Sequence, residues 1–302
     1  MGLFSKWVES LDYQFEVLST CSRYVSHRSS CEKCVASCDE KAISIQKGKP
    51  LIRHIKCTEC GNCISACPVQ SIAGIYPKRA FIQNQLIIKG KSKPSIKELL
   101  ILHKKGIKVI VGETESSVES WKEQVEGANQ ILLQLEQQPF SISIKSISEE
   151  ESMSRRELFM LWKTKGKSVL KEVTPAKWRI NQNDLDLPKY YPDFQFARIT
   201  VDIEKCSLCK ACEKLCKKNC FHINEDHFSI HPQRCTSCQL CTDTCPEKAI
   251  TVVEEISKAS EINLPSFKST CSNCHKPFDT LIESDEKCIA CKMQEKFNQM
   301  RK

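Results

Sequence analysis

Between Val118 and Leu135 the apolar residues Trp121, Val125, Ala128, Ile131, Leu132 and Leu135 recur at intervals that place them on one face of a helix. Upstream, Phe81 to Ile88 reads as a strand. Ser95-Ile96-Lys97-Glu98 has the form of a capping box and opens a helix that runs to about Lys105. Gly106 ends that helix, Ile107–Val111 is a short apolar strand, and Phe140–Ile144 is another. The order β-α-β-α-β predicts a small α/β unit with a parallel sheet, because parallel strands need a crossover. The unit has no GxGxxG and no GxxxxGK[ST], so it reads as a docking or spacer domain rather than a nucleotide site.

On either side the pattern shortens. Ala42-Ile43-Ser44-Ile45 and Ala249-Ile250-Thr251-Val252 are strand-like pieces, each following a cysteine. Phe194 to Ile203 alternates apolar and polar residues, as a half-buried strand does. Met153 to about Glu172 reads as a basic amphipathic helix, and Pro175, Pro188 and Pro192 mark an extended connection after it. Ser154-Arg155-Arg156-Glu157-Leu158-Phe159 looks like a twin-arginine export motif. It lies mid-chain with no apolar segment behind it, which favours a solvated helix face, with a docking patch for an acidic partner second.

The chemistry lies in the cysteines, 21 of them in 302 residues. Cys57-x2-Cys60-x2-Cys63-x3-Cys67-Pro68 and Cys235-x2-Cys238-x2-Cys241-x3-Cys245-Pro246 are complete runs, and Cys206-x2-Cys209-x2-Cys212-x3-Cys216 lacks only the proline. This spacing wraps three thiolates around one face of an iron–sulfur cube and sends the fourth to a neighbouring cube. Clustered CxxC runs in a large chain favour metal ligation over disulfides. The start of the chain lacks the apolar core of a secretory signal, and no run approaches the length of a membrane span. The expected location is therefore cytoplasmic. The formal charge of +8 counts every thiol as neutral. Four cubes and one four-thiolate zinc site, at about −2 each, would bring the loaded chain close to −2. The basic surplus thus balances the cofactors and is no signature of nucleic-acid binding.

These runs resemble those of bacterial-type ferredoxins with two [4Fe–4S] clusters, over roughly residues 18–75 and 196–256. The resemblance implies an α+β chain in which two ferredoxin-like dicluster modules flank the small α/β (βαβαβ) domain, followed by a zinc ribbon. The boundaries expected are 1–78 for the first module, 79–150 for the α/β domain, 151–195 for the basic helix and linker, 196–256 for the second module, and 262–302 for the tail. In the second module the resemblance implies one cube on Cys206, Cys209, Cys212 and Cys245, and another on Cys235, Cys238, Cys241 and Cys216. Lys217 stands where that family usually has proline.

The first module is irregular. Cys57, Cys60 and Cys63 would share a cube with the crossing Cys38. The other run offers Cys31-x2-Cys34-x3-Cys38, and Arg28 occupies the position of its first cysteine. Cys21, reached by a longer loop, is the substitute and would join Cys31, Cys34 and Cys67. A three-iron cluster, a labile cube or a free buried thiol are the alternatives. Cys220 is left over and reads as a packed core cysteine.

In the tail, Cys271-x2-Cys274 and Cys288-x2-Cys291 can form a four-thiolate zinc site, and the segment resembles a zinc ribbon. Phe278 and Leu281 between the pairs could make a miniature core. His275 and Lys292 replace the glycines usual after each pair, and a single rubredoxin-like iron is the competing occupant. The scattered histidines show no nucleophile–base spacing, so no catalytic site is expected. The sequence reads as an electron-transfer protein or subunit that relays single electrons through up to four [4Fe–4S] clusters to or from a partner oxidoreductase. The alternatives are an iron–sulfur redox or oxygen sensor with a zinc ribbon interaction module, and a self-sufficient reductase or cluster-handling factor.

Overall fold

The structure is a computed structural model and describes residues 15–74, 76–77, 79–89, 92–145 and 185–300. The helix read over Met153–Glu172 lies outside the described residues. The chain divides into two compact units, one of residues 1–21 and 32–190, the other of residues 22–31 and 191–302. Helix and strand are mixed throughout, as in an α+β protein. After β1 (Glu16–Val17), α1 (Ser22–Val25) belongs to the second unit.

In the first unit the cysteine-bearing part is built from α2 (Lys33–Ala36), the hairpin β2 (Ile43–Gln46) and β3 (Lys49–Ile52), α3 (Asn62–Ala66) and β4 (Ile72–Ala73). β1 pairs antiparallel with β4, and β2 with β3. Phe15, Ile43, Ile52, Ile64 and Ile72 fill the core together with Cys63 and Cys67, so the sulfur ligands are part of the packing.

The α/β part of this unit is a four-stranded sheet in the order β5 (Ala80–Ile82), β6 (Gln85–Ile87), β7 (Val109–Gly112), β8 (Ser141–Ile144). β6, β7 and β8 run parallel, connected through α4 (Ile96–Lys104) and α5 (Glu115–Gln134). The single strand expected over Phe81–Ile88 is a hairpin, β5 antiparallel to β6. The polar pair Gln83-Asn84 turns the chain, with Gln83 at a φ of +51°. α5 starts earlier than its apolar stripe, because Thr114 and Ser117 form a reciprocal capping box. Its buried face is Trp121, Val125, Ala128, Leu132 and, one residue past its end, Leu135. Each large side chain covered there contributes about 1.5–3 kcal/mol.

Ser95 caps α4 by accepting from the Glu98 N–H at 3.1 Å, but the Glu98 carboxylate does not return to the cap. It is buried, accepting from Arg79 Nε and Nη2 at 2.8 Å each and from the Tyr76 hydroxyl at 2.8 Å.

The short helix α6 (Leu187–Tyr190) closes the first unit. The strands of the second unit are β9 (Phe194–Val201) paired with β12 (Ile250–Lys258), and the hairpin β10 (Phe221–Ile223) and β11 (His227–Ile230). Its helices α7 (Ala211–Leu215) and α8 (Leu240–Thr244) stand where α2 and α3 stand in the first unit. The sequence reading ended this module at residue 256, but β13 (Ile262–Pro265) adds a third strand beside β11. The tail follows as the hairpin β14 (Phe267–Thr270) and β15 (Pro277–Thr280) and then α9 (Ile289–Met300). Leu281 is not in a separate miniature core; it packs into the core of the second unit with Phe228, Ile230 and Ile250.

Candidate metal centres

Three cysteine loops share one backbone form. Two residues after the first cysteine of each run stands a residue with left-handed φ: Glu59 (55°), Leu208 (50°) and Ser237 (55°). Four residues after it stands another: Gly61 (79°), Lys210 (61°) and Gln239 (60°). Such alternation turns successive N–H groups inward and makes an anion-binding concavity, at a cost of about 1–3 kcal/mol per non-glycine residue. The Ser237 N–H donates to Cys235 Sγ at 3.4 Å, and the Leu208 N–H acts on Cys206 in the same sense. Gly61 has a further reason to be glycine, since a Cβ there would lie 2.5 Å from Pro77 Cδ.

The last cysteine of each run has its own device. The N–H four residues on donates to its sulfur: Ala42 to Cys38 at 3.2 Å, Ser71 to Cys67 at 3.1 Å, Cys220 to Cys216 at 3.5 Å and Ala249 to Cys245 at 3.3 Å. The residue before each donor, Lys41, Gln70, Asn219 or Lys248, is left-handed with a φ of 49–52°. Lys217 leaves this turn intact, and Cys216 is extended like Cys67 and Cys245.

In the first unit a cavity of about 630 Å³ is lined by Cys38, Cys57, Cys60 and Cys63, with Phe15 and Tyr76 among its walls. The Cys63 thiol is pushed up to about 12, first by burial and then by the charges of Cys60, Cys57, Cys34 and Cys38. In the second unit a smaller cavity of about 20 Å³ is lined by Cys206, Cys209, Cys212 and Cys245. Cys212 is likewise pushed up to about 12 by burial and then by Cys206, Cys209 and Cys245. Cys241 is raised by burial and by Cys238, Cys235 and Cys216, which puts those sulfurs in one electrostatic neighbourhood. Crowded thiolates of this kind repel one another, and a polycation at their centre removes the repulsion. The donor sets therefore fit iron–sulfur cubes.

Cys220 is 2 % exposed. Its thiol bonds to Cys216 and Cys235, and Cys216 is drawn down to about 6, chiefly by that contact.

The remaining four cysteines are divided. Cys21, Cys34 and Cys67 belong to the first unit and Cys31 to the second. Cys34 and Cys67 both pack in the core of the first unit. The Cys31 loop lacks the left-handed form of the other three: no described residue from Phe15 to Glu40 has positive φ, and Glu32 sits at −130°. Arg28 is exposed.

The tail sulfurs form a different kind of site. Cys271, Cys274, Cys288 and Cys291 present Sγ atoms that all lie within 4.8 Å of one another, and Cys274 and Cys288 are 3.9 Å apart. A tetrahedral ion with bonds of about 2.3 Å separates its sulfurs by about 3.8 Å. The set suits one ion. Cys271 is held down to about 6, first by the Cys274 N–H and then by that of Cys288, so it is a thiolate at neutral pH.

Residues 28–71 match the 4Fe-4S dicluster domain, and residues 228–251 match the 4Fe-4S binding domain. The chain carries two ferredoxin-type 4Fe–4S segments. The cofactors they imply are [4Fe–4S] clusters, and the role they imply is iron–sulfur electron transfer. The first match begins at Arg28, beyond Cys21, and the second includes Cys235, Cys238, Cys241 and Cys245 but not the run from Cys206. No curated protein matches the chain. Among the described residues no helix is long and apolar enough to cross a membrane.

Sequence reasoning overlooked the groups that brace these loops. The Ser71 N–H donates to Cys67 Sγ, its hydroxyl meets that of Thr20, and the Ser30 N–H donates to Asp243 Oδ2 at 2.7 Å, Asp243 being a spacer residue between Cys241 and Cys245. The one available signal was Ser30, which occupies the place of Leu208 and Ser237 in a run whose first cysteine is missing.

Proposed function

We propose that this chain relays single electrons through four [4Fe–4S] clusters to or from a partner oxidoreductase, with a zinc ion in its tail. The observation that carries the reading is the meeting of distant cysteines: Cys38 with Cys57, Cys60 and Cys63 around one cavity, and Cys245 with Cys206, Cys209 and Cys212 around another. Crossing of this kind is the plan of a two-cluster ferredoxin. Cys216 would complete the set of Cys235, Cys238 and Cys241, and Cys21 that of Cys31, Cys34 and Cys67. The clusters supply one-electron redox chemistry when bound. The protein's own residues hold the sulfurs, direct N–H groups at them and exclude water. The four sulfurs of Cys271, Cys274, Cys288 and Cys291 support a redox-inert zinc that folds the tail. Reduced thiols on this scale suit the cytoplasm. The reacting substrate belongs to the partner.

Anaerobic purification followed by iron, sulfide and zinc analysis tests the reading, with about sixteen irons and one zinc expected per chain. Dithionite should bleach the visible absorbance with no substrate added. A chain that stays colourless after reconstitution overturns the proposal. The second reading, a redox or oxygen sensor with the tail as interaction module, is supported by the absence of left-handed residues around Cys31, which leaves that site less enclosed by N–H groups. Rapid, selective loss of one cube in air, with a matching change in partner binding, would favour it.

A further inference from the structure

The cavity ringed by Cys38, Cys57, Cys60 and Cys63 is not walled by the cysteine-bearing part alone. Tyr76, Pro77, Ser92 and Lys93 also line it, and they lie on the stretches that lead into β5 and α4 of the α/β part. In the second unit every residue lining the cavity falls between Cys206 and Ile250, within the ferredoxin-like part. The first cavity thus has a wall that the second lacks.

Contacts on several sides seat Tyr76. Its ring packs against the core that holds Cys38 and Cys57. Its Cδ2 and Cε2 atoms lie 3.2 Å from where a Cβ of Gly61 would stand, so the ring edge rests on the backbone between Cys60 and Cys63. Its hydroxyl donates to Glu98 Oε2 at 2.8 Å. Arg79 holds both oxygens of the same carboxylate, through Nε and Nη2 at 2.8 Å each, as a bidentate pair. Arg79 Nη1 donates to the Ser92 carbonyl at 2.6 Å, and the Ser92 hydroxyl donates to the Cys60 carbonyl at 3.3 Å. The bonds therefore run from Tyr76 through Glu98, Arg79 and Ser92 to Cys60, and close on the cavity they start from. All of these residues belong to the first unit.

We propose that Tyr76 covers the cube ligated by Cys38, Cys57, Cys60 and Cys63, and that Glu98 and Arg79 lock it there, so that the α/β part sets how much water reaches this cube. The inference rests on reading those cysteines as ligands, and it gives the α/β part a task beyond docking or spacing. Reducing a cube adds one negative charge, which water stabilises. An apolar ring that excludes water therefore lowers the potential and slows attack on the irons. Tethering the hydroxyl to a buried, charged carboxylate keeps the ring from swinging away.

The test is Tyr76→Phe in the full chain, loaded anaerobically and compared with the unaltered protein. The ring stays and only the tether is lost, while Glu98 keeps Arg79. The readouts are the potential of each cube in an EPR-monitored titration, the deuteron coupling of the reduced cubes after exchange into D2O, and the rate of iron loss to a chelator. The iron content should be unchanged. One cube should lose iron about tenfold faster, the factor for losing a hydrogen bond to a charged group, and should show stronger deuteron coupling and a higher potential. It should be the cube whose signal Cys60→Ser changes. Tyr76→Ala removes the ring as well and should move every readout further; if it fails to load iron, Tyr76→Phe alone decides. Potentials and deuteron coupling that stay in place in Tyr76→Phe, even with faster iron loss, would make Tyr76 a packing residue and overturn the proposal, as would a shift at a different cube. An unaltered protein that binds no iron would instead overturn the cluster reading itself.

Discussion

The hydroxyl oxygens of Thr20 and Ser71 lie 2.7 Å apart. The Ser71 N–H donates to Cys67 Sγ, and the Ser71 carbonyl accepts from Leu18 at 2.8 Å. One residue thus holds the sulfur of Cys67 and fastens the segment that leads from β1 to Cys21. This supports the proposal that Cys21 and Cys67 serve one cube. Cys21→Ser is expected to lower the iron count by up to four or to convert that cube to a three-iron form with its own EPR signal. Thr20→Val should leave the iron count unchanged but speed iron loss to a chelator by about fivefold, the worth of one neutral hydrogen bond. Equal loss rates would remove Thr20 from the account.

Hydrogen bonds to sulfur stabilise the reduced, more negative cluster and raise its potential. The loop around Cys31 lacks the left-handed residues that turn N–H groups inward at Glu59, Leu208 and Ser237. The cube proposed for Cys31 is therefore expected to have the lowest potential in the chain. An EPR-monitored redox titration checks the order, with assignment through the Cys21→Ser protein.

Cys220 stands where the other turns have Ala42, Ser71 and Ala249. Its thiol donates toward Cys216, which is why Cys216 is drawn down to about 6. Cys220→Ala should retain its iron and shift one cube to lower potential, because a donor to a ligand sulfur is lost. If all potentials stay in place, Cys220 is packing alone.

Glu98 is buried against Arg79 and Tyr76, and the guanidinium also lies 5.6 Å from the Trp121 ring. Glu98→Ala leaves the buried Arg79 without its carboxylate, with only the Ser92 and Lys93 carbonyls as acceptors, and is expected to cost about 3–5 kcal/mol in denaturant unfolding. Replacing both by apolar residues of similar volume should recover much of the loss. A single Glu98→Ala cost below about 1 kcal/mol would show that Arg79 finds another partner.

Metal binding in the tail should release protons. Cys271, held down to about 6 by the Cys274 N–H, is already ionised at neutral pH, whereas Cys291 is raised to about 12. Zinc binding to the apo chain near pH 7 should therefore draw a proton from Cys291 and none from Cys271, so fewer protons are released than there are ligands. The sign of the pH dependence follows from Cys271. Its folded value lies below the ordinary thiol value of 9.0, so its stabilising contribution is complete above about 9 and is lost as the pH falls through about 6. Thermal melts of the metal-free chain across that range check the direction.

Cysteine spacing is local, and it determined which sulfurs share a loop before any fold was known. The apolar stripe of α5 and the serine cap of α4 were legible for the same reason, since each depends on residues within a few turns. The hairpin at Gln83 was hidden, because two short strands and one longer strand share the same alternation. The grouping of Cys38 with the Cys57 run was expected from the family resemblance, whereas the seating of Leu281 in the second core and the bond of Ser30 to Asp243 were decided only by tertiary structure. Each joins stretches that no periodicity relates. A hydrogen bond across 213 residues leaves no trace in the spacing of either partner, because its geometry exists only once both backbones are in place.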